Sequence, residues 1–312
     1  MAPLTLAFHS TGDNAEKWRA ALAALVPDLT FLPWQEVTDP AAIDAALCWL
    51  PPDGWLASLP NLKMVHSLGA GVDHILRDTA YPTHVPLVRL VDPLMTRAMT
   101  EYVTFQVLRL HLREPTYRRQ QQAGQWVPHA PPQASERRVG ILGLGELGAA
   151  AAAALIGLGF DVAGWSRTPK MLDGVTCFAG DAGFEGFLAR TDILVCLLPL
   201  TPATEGILSA AAFARMPRGA SLINVGRGRH LVEADLLAAL DSGQLSEAVL
   251  DVFPKEPLEA GHPFWAHEHI VVTPHVAALT NPGTASLVVA ENLRRLVQGE
   301  PWPDRVDLAS GY

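Results

Sequence analysis

Glycines 143, 145 and 148 form the pattern G-x-G-x-x-G between an apolar run, RVGIL at 138–142, and an alanine-rich run at 149–155. The apolar run is typical of a buried parallel strand, and alanine favours a helix. The first glycine permits a tight turn, the second lets the backbone approach a pyrophosphate, and the third lets helix and strand pack closely. Because such a helix begins with N–H groups and a positive dipole end, the segment predicts a dinucleotide site at Gly143, Gly145, Glu146, Leu147 and Gly148. The alternative is a glycine turn in a ligand-free α/β protein.

Length and composition narrow the class of protein. The chain has 312 residues, enough for two domains, and 49% hydrophobic with 18% charged residues is typical of a soluble globular protein. A net charge of −9 argues against non-specific binding of nucleic acid. We expect no secretory signal, no membrane span and no metal. The three cysteines have no metal-ligand spacing, which favours reduced thiols and the cytoplasm.

Apolar runs and helical patterns alternate along the chain, which predicts an α/β fold of two doubly wound parallel-sheet domains. We expect a Rossmann-type cofactor domain, 99–286, inserted in a smaller flavodoxin-like substrate domain, 1–98 plus 287–312. The proline-rich run 127–133 is expected to form an exposed loop or an arm that packs on another subunit. Strands are predicted at Leu4–Phe8, Ala46–Leu50, Leu62–Leu68, Val139–Leu142, Asp161–Trp165, Ile193–Leu197, Ser221–Val225, Ala248–Val252 and Ile270–Thr273, and helices at Ala15–Leu25, Thr100–Leu112, Glu146–Leu158, Phe184–Arg190, Ala210–Met216, Glu233–Ser242 and Pro282–Leu296.

The end of the second cofactor-domain strand indicates which dinucleotide binds. An NAD enzyme usually has a carboxylate there for the ribose 2′-hydroxyl, but this chain has Ser166, Arg167 and Lys170 instead. A hydroxyl, a guanidinium and an ammonium suit a 2′-phosphate. We therefore predict NADPH as the cofactor, with NADH weaker. The alternative is a basic surface turn without selectivity.

Three later segments each place a polar group just after a predicted strand. They carry Arg227 in INVGRG, Glu256 in LDVFPKEPL and His275 in IVVTPHVAA. Open α/β sheets bind their ligands at the carboxyl ends of the strands, so these groups are expected to converge on a reduction site. Gly226 and Gly228, which flank the arginine, are expected to permit an unusual backbone and close approach of a ligand.

In this order the motifs resemble the D-2-hydroxyacid dehydrogenase family, closest to its NADPH-linked bacterial branch. The resemblance runs through most of the chain and includes SLGAGVD at 67–73, WSRT at 165–168 and the ending 306–312. It implies NADPH-dependent reduction of a small anionic 2-keto acid, glyoxylate to glycolate and hydroxypyruvate to D-glycerate, by a homodimer. Two alternatives stay open: a dehydrogenase for a bulkier 2-keto acid, and a dinucleotide-sensing binding protein on the same fold.

The resemblance also implies roles for single residues. Arg227 would hold the keto acid and stabilise charge on its keto oxygen, His275 would donate the proton, and Glu256 would pair with His275 and favour its charged form. Leu198, Pro199, Val225 and Asp251 would contact the cofactor, with a strand-end cap as the alternative for Asp251. Trp49, Gly69, Ala70 and Gly71 would contact the substrate. The alternatives are a core tryptophan at Trp49 and a plain tight turn at residues 69–71.

Two features do not fit the family pattern simply. The bridging helix carries Glu101-Tyr102 where the family often has a Glu-His pair, which leaves the role of this position open. The run His267-Glu268-His269 has the wrong spacing for a helical two-histidine metal site, and we interpret it as a surface turn.

Overall fold

The computed structural model describes residues 4–312. The chain divides into two compact units, one extending to Met95 and resuming as Thr280–Tyr312, the other comprising Thr96–Leu279. In chain order the strands and α-helices are β1 Leu4–His9, α1 Ala15–Ala23, β2 Leu29–Pro33, β3 Ala45–Cys48, β4 Met64–Ser67, α2 Asp73–Leu76, β5 Leu87–Val88, α3 Pro93–His111, α4 Glu114–Gln122, β6 Arg138–Leu142, α5 Glu146–Gly157, β7 Asp161–Ser166, β8 Thr176–Ala179, α6 Gly180–Ala189, β9 Ile193–Cys196, α7 Ala210–Phe213, β10 Ala220–Asn224, α8 Glu233–Asp241, β11 Leu245–Leu250, β12 Ile270–Val272 and α9 Pro282–Gln298.

The first unit is built on a parallel sheet with the strand order β2-β1-β3-β4-β5. This is the flavodoxin-like order. Helix α9 belongs to this unit and packs on α1. Ile43, Leu56 and Ile75 are fully buried in its core.

The second unit is built on a seven-stranded parallel sheet with the order β12-β11-β10-β9-β6-β7-β8. Outward from β6, this is the Rossmann order with one added strand. Successive residues of β9 serve opposite faces, as the two-residue period of a strand requires: Leu194 and Cys196 lie in one apolar cluster, Ile193 and Val195 in another. The sheet is therefore covered on both faces, which explains the continuous apolar runs in its strands.

The predicted α/β class is confirmed, but five strands and helices were not predicted, among them the single-turn helix α2. β2, β5 and β8 are short or only partly buried, so they lack a clear apolar pattern. Helix α4, with the sequence EPTYRRQQQ, is strongly polar and carries no apolar stripe. Helix α7 is shorter than predicted and ends at Phe213. None of the helices between residues 4 and 312 has the length and apolar character needed to cross a bilayer.

Helix α3 begins earlier than the predicted Thr100. Proline at position 93 has no N–H group to satisfy and suits a first helical turn. The Asp92 carboxylate then accepts a hydrogen bond from Leu94 N–H at 3.0 Å. The other Asp92 oxygen accepts from Thr284 Oγ1 at 2.9 Å, so residues near the start of α9 also fix this helix end. Thr284 lies 192 residues after Asp92, and the hydrophobic periodicity of a sequence does not indicate a contact between such distant residues.

Gly148 lies where α5 crosses the end of β6. A Cβ atom there would be 1.8 Å from the carbonyl oxygen of Gly143 and 3.4 Å from Ile141 Cγ2. The neighbour at 1.8 Å is backbone and has no side-chain freedom to move away. The third glycine of the pattern therefore permits the close packing that the sequence predicted.

We predict that Gly148→Ala lowers the free energy of unfolding by about 3 kcal/mol or more, because helix and turn must separate. Gly157→Ala in the same helix is the matched control, since a Cβ there meets nothing within 4 Å. It should be neutral or stabilise by up to about 1 kcal/mol, the helix-propensity difference. Denaturant unfolding of the two variants measures both values; equal stabilities would contradict the packing role of Gly148.

Candidate active site

The glycine loop offers an open helix N-terminus. Gly143 has a φ of +99°, and a Cβ there would lie 2.7 Å from Leu197 O, so only glycine fits this turn. Gly145, by contrast, is exposed and a Cβ would meet nothing within 4 Å. In the described part of the chain no side chain caps α5, which begins at Glu146. Free space beside uncapped N–H groups is what a pyrophosphate requires.

The basic turn after β7 lies beside the glycine loop. Lys170 Nζ donates to the carbonyl oxygen of Leu144 at 2.6 Å. Ser166 is 7% exposed, and its hydroxyl donates to Thr168 O at 2.7 Å. Arg167 is an exposed residue. The three predicted residues thus lie on one turn, and the bonds of Lys170 and Ser166 to backbone carbonyls fix its shape.

The loops after β9 and β10 pack against each other. Leu198 and Val225 are buried, at 8% and 5% exposure, so their side chains are mainly core. Pro199 O accepts hydrogen bonds from Thr204 Oγ1 at 2.7 Å and from His230 Nε2 at 3.3 Å. The loop after β9, which is predicted to line the cofactor, is therefore held by hydrogen bonds from Thr204 in the same loop and from His230 in the loop after β10.

Arg227 follows β10 in a loop with a fixed backbone. Asn224 Nδ2 donates to Arg227 O at 3.1 Å, and Gly226 N–H donates to Asn224 Oδ1 at 3.2 Å. Arg227 Nη1 donates to Gly226 O at 2.8 Å. These contacts hold the guanidinium against its own loop at the carboxyl end of the sheet.

Gly226 and Gly228, on either side of Arg227, were expected to permit an unusual backbone conformation, and the structure gives them a different role. Neither has a positive φ. A Cβ on Gly228 would lie 1.9 Å from the backbone carbon of Phe253, and one on Gly226 would lie 2.9 Å from His230 Nδ1. The expectation of an unusual backbone is wrong. Here the glycines make room for parts of the protein itself, and Gly228 brings the Arg227 loop against the segment that leads to Glu256.

His230 was missed by the sequence analysis. It is fully buried, and its Nδ1 accepts from Arg227 N–H at 3.0 Å. The ring proton is therefore on Nε2, which donates to Pro199 O at 3.3 Å. One imidazole thus ties the arginine loop to the loop after β9. The signal was its position three residues after Arg227, the spacing at which a side chain returns to the residue that starts a short helix.

Glu256 and His275 come together as predicted. His275 Nδ1 lies 2.7 Å from Glu256 Oε2, and Phe253 N–H donates to Glu256 Oε1 at 2.9 Å. Burial alone would raise the pKa of Glu256. The hydrogen bonds from His275 and Phe253, with the charges of His275 and Arg227, more than offset burial and hold this pKa below its ordinary value. The carboxylate therefore stays ionised at neutral pH.

The backbone of His275 is held in an unfavourable conformation. Its φ is +54°, in the left-handed region, which costs about 1–3 kcal/mol for a residue other than glycine. The Asp251 carboxylate, 1% exposed, accepts from Val276 N–H and Ala277 N–H, both at 2.9 Å. Asp251 O accepts from His275 N–H at 2.9 Å. Asp251 thus stabilises the turn at residues 275–277. Its contact with the cofactor stays a prediction.

The first unit brings Trp49 and the 67–73 loop together. A Cβ on Gly69 would lie 2.6 Å from Trp49 Cζ3, so the indole packs directly on this glycine. Gly69 N–H donates to Ser67 Oγ at 3.1 Å, and that hydroxyl donates to Gly71 O at 3.2 Å. Because Gly69 N–H is bonded within the loop, Ala70 and Gly71 are the candidates for the predicted anion-binding N–H groups.

Between residues 4 and 312, no three His, Cys, Asp or Glu side chains are grouped to hold a metal ion. His267 and His269 lie with their ring centroids 5.9 Å apart, and His269 Nδ1 is 3.4 Å from Glu247 Oε1. The segment between β11 and β12 thus places His267 beside Asp241 and His269 beside Glu247.

We predict that Glu256→Gln lowers the free energy of unfolding, and that its difference from the wild type depends on pH. Because the pKa of Glu256 is lowered from 4.5 on folding, its contribution is fully present above that value and is lost as pH falls through the folded pKa. Denaturant unfolding from about pH 7 to about pH 3 should show the difference shrinking.

Glu259→Gln is the control, since Glu259 pairs with Lys255 on an exposed surface. It should change the free energy of unfolding little at any of these pH values. A Glu256→Gln difference that stays constant down to the lowest pH would contradict the paired carboxylate.

Comparison with known proteins places this geometry in a family. A family model described as the NAD binding domain of D-isomer specific 2-hydroxyacid dehydrogenases matches residues 104–277. Glyoxylate/hydroxypyruvate reductase A of Serratia proteamaculans (strain 568) is 45% identical, covering 99% of this chain and 100% of the relative. The protein of the same name from Yersinia enterocolitica is 43% identical over the same shares.

Solved structures agree over nearly the whole chain. The D-isomer specific 2-hydroxyacid dehydrogenase from Xanthobacter autotrophicus Py2, in complex with NADPH and MES, has a TM-score of 0.95 at 47% identity, with 100% of both chains covered. The NADPH-dependent glyoxylate/hydroxypyruvate reductase from Sinorhizobium meliloti, in complex with NADP and sulfate, has a TM-score of 0.92 at 39% identity, covering 99% of this chain and 100% of that one. The chain belongs to the D-isomer specific 2-hydroxyacid dehydrogenase family.

Proposed function

We propose that this protein reduces glyoxylate to glycolate and hydroxypyruvate to D-glycerate with NADPH. The observation that carries the proposal is the 2.7 Å pair of Glu256 and His275, at the same edge of the sheet as Arg227 and the glycine loop. The relatives named glyoxylate/hydroxypyruvate reductase support this choice of substrate.

The reaction adds one hydride and one proton across the keto group. NADPH, when bound, would supply the hydride for C2. His275 donates the proton to the keto oxygen from Nε2, since Nδ1 faces Glu256. Glu256, whose own pKa is lowered so that it stays ionised, accepts at Nδ1 and orients the imidazole. Arg227 binds the substrate carboxylate and stabilises charge on the keto oxygen.

The Thr96–Leu279 unit is the proposed dinucleotide-binding domain. Backbone N–H groups of Gly145 to Gly148 would hold the pyrophosphate, where the open space beside Gly145 fits it. The guanidinium of the exposed residue Arg167 would bind the 2′-phosphate of NADPH as a fork of donors. Lys170, bonded to Leu144 O, keeps this turn beside the glycine loop and adds positive charge.

The unit formed by residues up to Met95 and by Thr280–Tyr312 is the proposed substrate domain. Ala70 and Gly71 would present N–H groups to the substrate carboxylate. Trp49, packed on Gly69, would limit the size of the acid that binds.

We also infer that the protein works as a homodimer in the cytoplasm. Cys48 and Cys196 are free and fully buried, and burial raises the pKa of Cys196 to about 12, as suits thiols that stay reduced. Large apolar side chains are exposed on α3, between α3 and α4, and just after α4: Phe105 at 61%, Leu112 at 52% and Trp126 at 98%. A second copy of the chain would cover such a surface.

We predict that His275→Asn and Arg227→Lys abolish most of the turnover. Asparagine tolerates the left-handed backbone of position 275 but supplies no comparable acid, so kcat should fall about 10²–10⁴-fold. Lysine keeps the charge but loses the two-pronged donor, so kcat/KM should fall about 10²–10³-fold. Stopped-flow oxidation of NADPH with glyoxylate or hydroxypyruvate measures both, and titration of protein fluorescence shows that NADPH still binds.

Arg229→Lys is the matched control for Arg227→Lys. Arg229 lies in the same loop but is exposed and pairs with Glu205, so this variant should turn over like the wild type. Near-normal turnover in His275→Asn would refute the proposed proton donor. A wild-type enzyme that reduces pyruvate or phenylpyruvate better than both proposed substrates would refute the substrate assignment.

We predict that Arg167→Ala raises the KM for NADPH about tenfold or more, the effect of losing a charged hydrogen-bond donor to phosphate. The KM for NADH should change less than about twofold, because NADH has no group at that position. Arg215→Ala, in which an exposed arginine bonded to Ala211 O is removed, is the control. Equal losses with both cofactors would mean that Arg167 does not read the 2′-phosphate.

A further inference from the structure

Tyr102, which departs from the family pattern, forms a hydrogen bond with the residue that follows β12, two positions before His275. It lies on α3, and its hydroxyl oxygen is 2.6 Å from Thr273 Oγ1. Thr273 follows β12 directly and precedes His275 by two residues. The contact joins the long helix to the end of the strand that carries the proposed proton donor.

The donor and the acceptor of each hydrogen bond at Thr273 can be assigned. Thr273 Oγ1 donates to Asp251 Oδ1 at 2.6 Å, which uses its single hydrogen. Tyr102 must therefore donate to Thr273 Oγ1. Burial raises the pKa of Tyr102, so the phenol keeps the hydrogen that this direction needs. The result is a chain of donors from Tyr102 through Thr273 to the Asp251 carboxylate.

The carboxylate at the end of this chain holds the main chain around His275. Its two oxygens accept from Val276 N–H and Ala277 N–H at 2.9 Å each. A carboxyl group with 1% exposure needs such donors, since water does not supply them. The φ of +54° at His275 persists because these bonds fix the residues that follow it.

We propose that Tyr102 and Thr273 are positioning residues for His275: they orient the Asp251 carboxylate, and that carboxylate fixes the turn that aims the imidazole. As a role in catalysis, this inference rests on the proposed function, in which His275 donates the proton. As a statement about the backbone of residues 275–277, it stands on the hydrogen bonds alone.

The test uses isosteric changes in the full-length enzyme. Tyr102→Phe removes only the first donor, Thr273→Val removes the middle hydroxyl, and Thr273→Ser keeps it. Tyr117→Phe is the matched control, because the hydroxyl of Tyr117 bonds to His129 O on an exposed surface. Each variant is assayed for kcat, for the KM of NADPH and, without substrate, for hydrogen exchange at the amides of 275–277.

In Tyr102→Phe we expect kcat to fall about three- to tenfold, with the KM for NADPH unchanged and exchange at 275–277 faster. Thr273→Val should lose about tenfold or more in kcat, and Thr273→Ser should recover most of that loss. The double variant Tyr102→Phe/Thr273→Val should be no worse than Thr273→Val alone, because the two changes break one chain. Tyr117→Phe should match the wild type.

Wild-type kcat and wild-type exchange in Tyr102→Phe would overturn the proposal. So would full additivity in the double variant, or a loss of NADPH binding with faster exchange throughout the unit, which would show a merely structural role. If the wild type reduces neither proposed substrate, the proposed function fails, while the exchange measurement still decides whether Tyr102 holds the 275–277 turn.

Discussion

The parallel register of the larger sheet places the candidate site. Leu142, Cys196, Asn224, Leu250 and Val272 form one row across β6, β9, β10, β11 and β12. Each of these strands ends at that row or just beside it, so the residues that follow leave the sheet at the same edge. A slip of one residue in any strand would send its polar group to the opposite face. The proposed acid, its carboxylate partner and the arginine depend on this row for their convergence.

Beyond this row, the loops are held by hydrogen bonds to buried polar side chains instead of by the hydrogen bonds between strands. Asp251 organises the turn at His275, and His230 organises the loop at Arg227. Each sits in an environment with little or no solvent, where an unpaired donor or acceptor is costly. The loops are therefore as well determined as the strands that precede them, which suits a site whose groups must meet a small substrate at fixed distances.

Much of the fold and of the site followed from local pattern. Parallel strands buried on both faces give continuous apolar runs, so β6, β7, β9 and β10 were predicted within a residue or two. The glycine loop was predicted because the roles of its first and third glycines are local. Glu256 and His275 were paired through the family resemblance, and the structure does bring them together. Elements with few buried residues, such as β8 and α4, left no such pattern and were missed.

The remainder depended on contacts between distant parts of the chain. The sequence by itself determined the α/β class, the dinucleotide loop and the residue types available for reduction, because hydrophobic period and glycine spacing act over a few residues. Only the tertiary structure decided that Gly228 makes room for Phe253 and that His230 reaches Pro199. It also decided that Asp251 closes the turn at His275 and that Tyr102 reaches Thr273. Each of these contacts joins segments that are far apart along the chain, and no local preference selects such partners until the sheet has formed.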